Sequence, residues 1–313
     1  MRAIVFNEYG GPEVLHMAER PLPRPGKGEV MIRIRAAALN PIDCEVRGGM
    51  IKALPGQRLP KIPGSDFAGV IEACGASVKA FHVGDRVWGM AKTYKGGAYA
   101  THIRISHQEI GLMPEKWDFP EAAAVPLAAL TSLQALRDHG RLAKGESVLI
   151  NGASGGVGTF AIQIAKSYGA RVIAVCSHRN IELVQELGAD EVIDYTQTDI
   201  LKLDRQFDIF FDAYGNKSLS WTRHLLPSEG RYVSTIPNPR NFKAKAFNLF
   251  RAQKGSVVLV RSRTRDLDQL KTWAEKGQLK PVIDRQYNWT DAVEAQRFLE
   301  TRRARGKVVL TGM

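Results

Sequence analysis

Residues 151–158 read Asn-Gly-Ala-Ser-Gly-Gly-Val-Gly, and the segments on either side decide what this string is. Before it, ESVLIN (146–151) has the apolar run of a buried strand. After it, Val157, Phe160, Ala161, Ile164 and Ala165 fall at i, i+3, i+4, i+7 and i+8, which predicts a helix through Ser167. A second apolar strand, RVIAVC (171–176), follows. Read as Ala153-x-Gly155-x-x-Gly158, the string is the dinucleotide fingerprint with Ala in the first glycine position. The chemistry requires small residues there. A side chain would hold the backbone away from a pyrophosphate, whose charge the helix N-terminus receives through its free N–H groups. Gly158 would let helix and strand approach closely. No Gly-Lys-Ser/Thr closes the string, so it is not a Walker phosphate loop. Ala153, Ser154, Gly155, Gly156, Val157 and Gly158 are therefore the candidate cofactor loop.

The end of the second strand bears on which cofactor. An NAD enzyme places Asp or Glu there, on the ribose hydroxyls. This chain reads Ser177-His178-Arg179-Asn180, with no acid. Ser177 and Arg179 suit a 2′-phosphate through a hydrogen bond and a charge, which predicts NADPH. The plainer reading of Arg179 is an exposed cation at a helix start.

Outward from this unit the strand and helix patterns continue to alternate. NIELVQELG (180–188) is a helix candidate, and EVIDY (191–195), FDIFFDAYG (207–215), GRYVSTI (230–236) and SVVLVR (256–261) are strand candidates. Such alternation predicts parallel βαβ units with right-handed crossovers over 123–264. The first 122 residues read instead as short strands and turns: RAIVFN (2–7), EVMIRIRA (29–36), GVIEAC (69–74), DRVWGM (85–90) and AYATHIRI (98–105). FPEAAAVPLAALTSLQAL (119–136) is helical, with Pro126 marking a break or a start. Beyond residue 264 come two helix candidates, the second with Thr290 as N-cap, and a last strand, KVVL (307–310). This tail is expected to rejoin the N-terminal part, so that 1–122 and 265–313 form one discontinuous, mostly β domain. The fold class is α/β.

Bulk properties exclude several alternatives. With 313 residues, 44% hydrophobic and 24% charged, the chain has material for two cores. No apolar stretch is long enough to span a bilayer, and three cysteines (Cys44, Cys74, Cys176) are too few for a disulfide framework. Cytoplasm is the expected compartment. The net charge of +12 is concentrated late: Arg231 to Met313 holds 18 Lys/Arg against 7 Asp/Glu, and the first 230 residues hold 26 against 25. A solvated basic face that draws in an anionic cofactor accounts for this, and no RNA-binding signature accompanies it. A polyanion partner is the second reading. It is carried by the basic tail and by PNPRNFKAKAFNLFRAQK (237–254), where Phe242, Phe247 and Phe250 alternate loosely with Lys and Arg.

With these residues in view, the whole chain resembles the medium-chain dehydrogenase/reductase superfamily, in its zinc-free quinone oxidoreductase and alkenal/enone reductase branch. The blocks that carry the resemblance are ALNPIDCEVRGG (38–49), PGSDFAGVIEACG (63–75), VGDRVWG (83–89), EAAAVPLAALTSLQAL (121–136), the glycine loop, LGADEVIDY (187–195) and RGKVVL (305–310). The resemblance implies a GroES-like N-terminal domain, a Rossmann domain and an active-site cleft between them. Zinc-dependent relatives carry Cys in the first block and Gly-His-Glu in the second. Here Asn40 and Gly64-Ser65-Asp66 stand there, and no cysteine cluster follows, so no metal is expected.

By the same resemblance Asn40 and Asp43 line the cleft and Thr131 lies against the nicotinamide, which makes these three the candidate catalytic residues. Asn40 would donate to developing enolate charge. A local Asx turn around Pro41 is the competing use of Asn40 and Asp43. Relatives usually have Tyr or Lys where this chain has Glu45, so their proton donor has no counterpart; solvent, or Glu45 with a raised pKa, could serve instead. Tyr195 resembles an adenosine-phosphate contact, with strand-end packing as its alternative. The implied activity is NADPH-dependent hydride transfer to a quinone, enone or alkenal. A zinc-free alcohol dehydrogenase, or a cofactor-fold protein that binds RNA or protein, are the alternatives. A homodimer is expected through the SVVLV edge (256–260).

Overall fold

The computed structural model describes residues 1–53, 57–236 and 253–313. Most of the basic-aromatic stretch 237–254 therefore lies outside the described residues. The chain forms two units: Met1–Leu127 with Arg261–Gly277 and Pro281–Met313, and Ala128–Val260 with Gln278–Lys280. No described helix is long and apolar enough to cross a membrane.

In the first unit β1 (Arg2–Val5) pairs antiparallel with β2 (His16–Glu19). The centre is the long strand β3 (Glu29–Leu39). Val30, Ile32 and Ile34 are buried while Arg33 and Arg35 face solvent, the alternation of a sheet with one wet face. From Ala36 onward every residue of β3 is buried, because the short helix α2 (Phe119–Ala123) covers that end. Helix α1 (Pro41–Arg47) follows β3 directly, started by Pro41, whose fixed φ and missing N–H suit a first helical position. Next come β4 (Asp66–Cys74), β5 (Arg86–Met90), β6 (His102–Ser106) and β7 (Ile110–Leu112). Pro126 opens a second helix, α3 (Pro126–Gln134), and breaks the Ala-rich run in two.

The second unit is a six-stranded, all-parallel sheet. It contains β8 (Ser147–Asn151), β9 (Arg171–Cys176), β10 (Glu191–Asp194), β11 (Ile209–Asp212), β12 (Arg231–Ser234) and β13 (Lys254–Val257). The spatial order is β10-β9-β8-β11-β12-β13, so the winding reverses between β8 and β11, the doubly wound arrangement. Helix α4 (Gly156–Ser167) connects β8 to β9, and α5 (Ile181–Glu186) lies between β9 and β10.

The tail then returns to the first sheet. β14 (Ile283–Asn288) lies parallel to β15 (Lys307–Thr311), and β15 pairs antiparallel with β3, giving the order β14-β15-β3-β4-β5-β7 with β6 also on β3.

Two local expectations are corrected. The last parallel strand is Lys254–Val257 rather than 256–261, because its partner β12 ends at Ser234, opposite Val257, and the Ser234 carbonyl takes one last bond from the Val258 N–H at 2.9 Å. Leu259, beyond it, is 69% exposed. The helix Ala292–Glu300 has Asp291 rather than Thr290 at its N-cap. Thr290 sits inside a 3-10 turn, Trp289–Asp291, whose cap is Asn288; the Asn288 side chain accepts from the Thr290 N–H at 3.0 Å. The buried Trp289 ring anchors that turn and delays the helix.

Candidate functional site

The glycine loop runs from the carboxyl end of β8 into α4, beside the strand-order reversal, where open α/β sheets take their ligands. Its small residues do different jobs. Gly152 takes the left-handed turn, with φ +82°, so Ala153 at the fingerprint's first position is unstrained; it is buried and donates its N–H to the Val175 carbonyl at 3.0 Å. A Cβ on Gly158 would lie 2.2 Å from the Gly152 carbonyl oxygen and 2.6 Å from Ala153 Cα, both backbone. A Cβ on Gly155 would meet only the Gly152 oxygen, at an ordinary 3.5 Å. Internal packing thus explains Gly158 and leaves Gly155 to be explained by something outside the chain.

We expect Gly158→Ala to cost about 1–3 kcal/mol of stability, the usual penalty of overpacking, and Gly155→Ala to cost little stability while weakening dinucleotide binding. Denaturant melts with dinucleotide titrations separate the two; equal stability losses would overturn this division.

The remaining Rossmann-unit candidates surround that loop. Ser132, next to the buried Thr131 on α3, donates to the Val157 carbonyl at 2.8 Å and so ties α3 to the start of α4. Ser177 follows the last residue of β9 and caps the 3-10 turn His178–Asn180, in which Arg179 is exposed. Asn180, which sequence reasoning passed over, fastens this turn to the loop: its Nδ2 donates to Ser154 Oγ at 2.9 Å and lies 3.4 Å from Ser177 Oγ. Tyr195 is 60% exposed, and its N–H donates to the Cys176 carbonyl at the same strand end. β10 also brings a carboxylate there, since Asp194 is the register partner of Cys176. That carboxylate is engaged by its own turn, accepting from the Thr196 N–H at 2.9 Å and hydroxyl at 2.8 Å.

In the first unit, Asn40 and Asp43 belong to a buried polar cluster with Ser65, Asp66, Tyr99 and Lys307. Asn40 lies at the junction of β3 and α1; Asp43 is one turn on, and its carboxylate accepts the Asn40 N–H at 2.9 Å. That carboxylate also takes the Ser65 hydroxyl at 3.2 Å and the Tyr99 phenol at 3.3 Å. Lys307, at the start of β15, donates to Asn40 Oδ1 at 2.5 Å and to Asp66 Oδ2 at 3.2 Å. Asn40 Nδ2 donates to the same Asp66 oxygen at 3.0 Å and lies 3.4 Å from the Ala38 carbonyl. The other Asp66 oxygen accepts the Leu127 N–H from the first turn of α3 at 2.7 Å.

Two carboxylates and one ammonium are thus held out of water together. Burial, then the neighbouring Asp66, pushes Asp43 up to about 7. Burial also raises Asp66, against the pull of Lys307 and its hydrogen bonds, and holds the Tyr99 phenol well above its usual range. The thiols of Cys44 and Cys176 are pushed up to about 12 and about 11, chiefly by burial, so neither is a neutral-pH nucleophile. Glu45 is half-buried, and burial raises it, opposed by Arg302.

Zinc does not fit this cluster. Asn40 and Ser65 offer neither thiolate nor imidazole, and the Lys307 ammonium lies against Asn40 and Asp66. Among the described residues no group of three His, Cys, Asp or Glu side chains could hold a metal.

Lys307, in the RGKVVL block, is not marked as a site residue by its sequence neighbours. A lysine that opens an apolar strand looks like a surface residue until its partners, far away in the chain, are known.

The alcohol dehydrogenase GroES-like domain model matches residues 26–129, and the zinc-binding dehydrogenase model matches residues 187–310. Quinone-oxidoreductase QR1, chloroplastic, from Triphysaria versicolor is 34% identical over 99% of this chain and 98% of its own length. Among solved structures, the quinone oxidoreductase from Coxiella burnetii superposes with a TM-score of 0.91 at 32% identity, covering 100% of this chain and 99% of that one. The Escherichia coli quinone oxidoreductase complexed with NADPH superposes with a TM-score of 0.85 at 26% identity, covering 100% of both chains. With both domain types matched and relatives of this similarity along its full length, the chain belongs to the medium-chain dehydrogenase/reductase superfamily, in the quinone oxidoreductase branch.

Proposed function

We propose that this oxidoreductase uses NADPH, works without zinc, and delivers hydride to a quinone or an α,β-unsaturated carbonyl compound. The observation that carries this reading is the Lys307 ammonium bonded to Asn40 and Asp66, where zinc-dependent relatives place ligands. Without a Lewis acid a simple ketone is a hard substrate, whereas a conjugated acceptor spreads the incoming charge over several atoms. When bound, the nicotinamide supplies the hydride.

The chain's own residues do the rest. The loop 153–158 and the N–H groups of α4 hold the pyrophosphate, Ser177 and Arg179 take the 2′-phosphate, Tyr195 flanks the adenosine end, and Thr131 meets the nicotinamide. Asn40 has one amide hydrogen committed to Asp66 at 3.0 Å and the other only loosely placed, 3.4 Å from the Ala38 carbonyl. That second hydrogen is the one a developing enolate oxygen would take. Lys307 and Asp66 are its positioning residues, because they determine which end of the amide faces which way.

The test is a panel of quinones, cyclic enones, alkenals, simple ketones and alcohols, assayed by loss or gain of reduced nicotinamide with each cofactor, with and without a strong chelator. Turnover of quinones or enones with NADPH that survives chelation is the expected result. Alcohol oxidation that requires added zinc would overturn the reading. In the same reading the open edge at β13 pairs with its twin. Light scattering should give twice 34.6 kDa, and a monomer mass at micromolar concentration would refute the dimer.

A further inference from the structure

We propose that a cavity in the first unit, lined by Arg20, Arg58, Lys61 and Lys95, is a binding site for a small phosphorylated molecule with a planar or apolar body. The cavity has a volume of about 650 Å³ and shares no residue with the Asn40 cluster or the glycine loop. Four cationic side chains line it and no acidic one does. Among the described residues none of the four pairs with a carboxylate.

Lys61 is the informative member. It is only 9% exposed, and a lysine that deep is ordinarily paired with an acid. Here its ammonium donates to neutral acceptors, Gln57 Oε1 and the Tyr94 carbonyl, the latter at 2.7 Å. The backbone gives it no freedom to leave: its N–H and carbonyl exchange hydrogen bonds of 3.0 Å with Phe6. Burial lowers its pKa, as expected of a cation without a counter-charge. An ammonium carries three donors, and two are used, so one remains for an anion.

The rest of the lining indicates the class of anion. Arg20 and Arg58 each carry a planar fork that matches phosphate oxygens, and with two ammonium groups the total charge exceeds what a monocarboxylate would need. Ile62 and Tyr94, the latter 42% exposed, form an apolar wall for the body of the ligand. The volume is that of a small-molecule site, whereas a nucleic acid would need an extended cationic track.

The test is calorimetric titration of the full chain with inorganic phosphate, pyrophosphate and phenyl phosphate. It is run at constant ionic strength with saturating dinucleotide, so that the glycine loop is already filled. Pyrophosphate should bind, and phenyl phosphate should bind more tightly than inorganic phosphate. Lys61→Gln should weaken both by about tenfold or more, a loss typical of a charge-assisted hydrogen bond. Arg58→Gln, at an exposed position, gives the same reading should Lys61→Gln fail to fold. Lys116→Gln, an exposed lysine outside the cavity, should change nothing. Equal effects of Arg58→Gln and Lys116→Gln would show a merely solvated basic face and overturn the site. Phenyl phosphate no tighter than inorganic phosphate would overturn its apolar half.

Discussion

Replacing Lys307 with methionine should lower the thermal midpoint by roughly 10–15 °C. The change keeps most of the side-chain volume and removes the ammonium bonded to Asp66 and Asn40. Breaking one partner of a buried pair costs about 3–5 kcal/mol, since the other charge stays buried and uncompensated. A unit of this size loses about 2–4 °C per kcal/mol. The deficit should depend on pH. Asp43 and Asp66 both have raised folded pKa values, so the stability they contribute is present at low pH and is lost as pH rises through the folded value, about 7 for Asp43. Without Lys307 both acids are harder still to ionise, and the variant should fall further behind the wild type at pH 8 than at pH 5. Adding Asp66→Asn should recover more than half of the loss by removing the stranded charge. Melts of the three proteins at both pH values check this; an unchanged midpoint for Lys307→Met would show that the pair contributes nothing.

Arg179→Ala should weaken NADPH binding by about one to two decades while leaving NADH within a factor of about three. A charge-assisted contact to a phosphate is worth roughly 1.5–3 kcal/mol, and only NADPH has a phosphate at that ribose. The turn His178–Asn180 is fastened to the loop through Asn180 and Ser154, which keeps Arg179 beside the end of β9. The nearby Asp194 carboxylate is bonded to Thr196. Titrating both cofactors against both proteins decides the matter; equal dissociation constants for NADPH and NADH in the wild type would mean that Ser177 and Arg179 do not read the phosphate.

The Rossmann half was legible because its signals are local. The helix after Gly155 shows its 3.6-residue period within a dozen residues, and β8, β9 and β11 are short apolar runs closed by turns. Where prediction slipped, a partner was involved. The strand expected over 256–261 stops at Val257 because β12 stops, and the N-cap moved from Thr290 to Asp291 because Trp289 is buried.

The amino-acid sequence alone determined the order of elements, the glycine loop and the absence of an acid after Cys176, since periodicity, small residues and missing side chains are properties of neighbours in the chain. Only the tertiary structure decided what Asn40 and Asp43 touch. Lys307 reaches Asn40 across 267 positions and Asp66 across 241. They meet because β15 docks antiparallel on β3, which also pairs with β4. Sheet order depends on which apolar faces are buried together, and no local pattern encodes it.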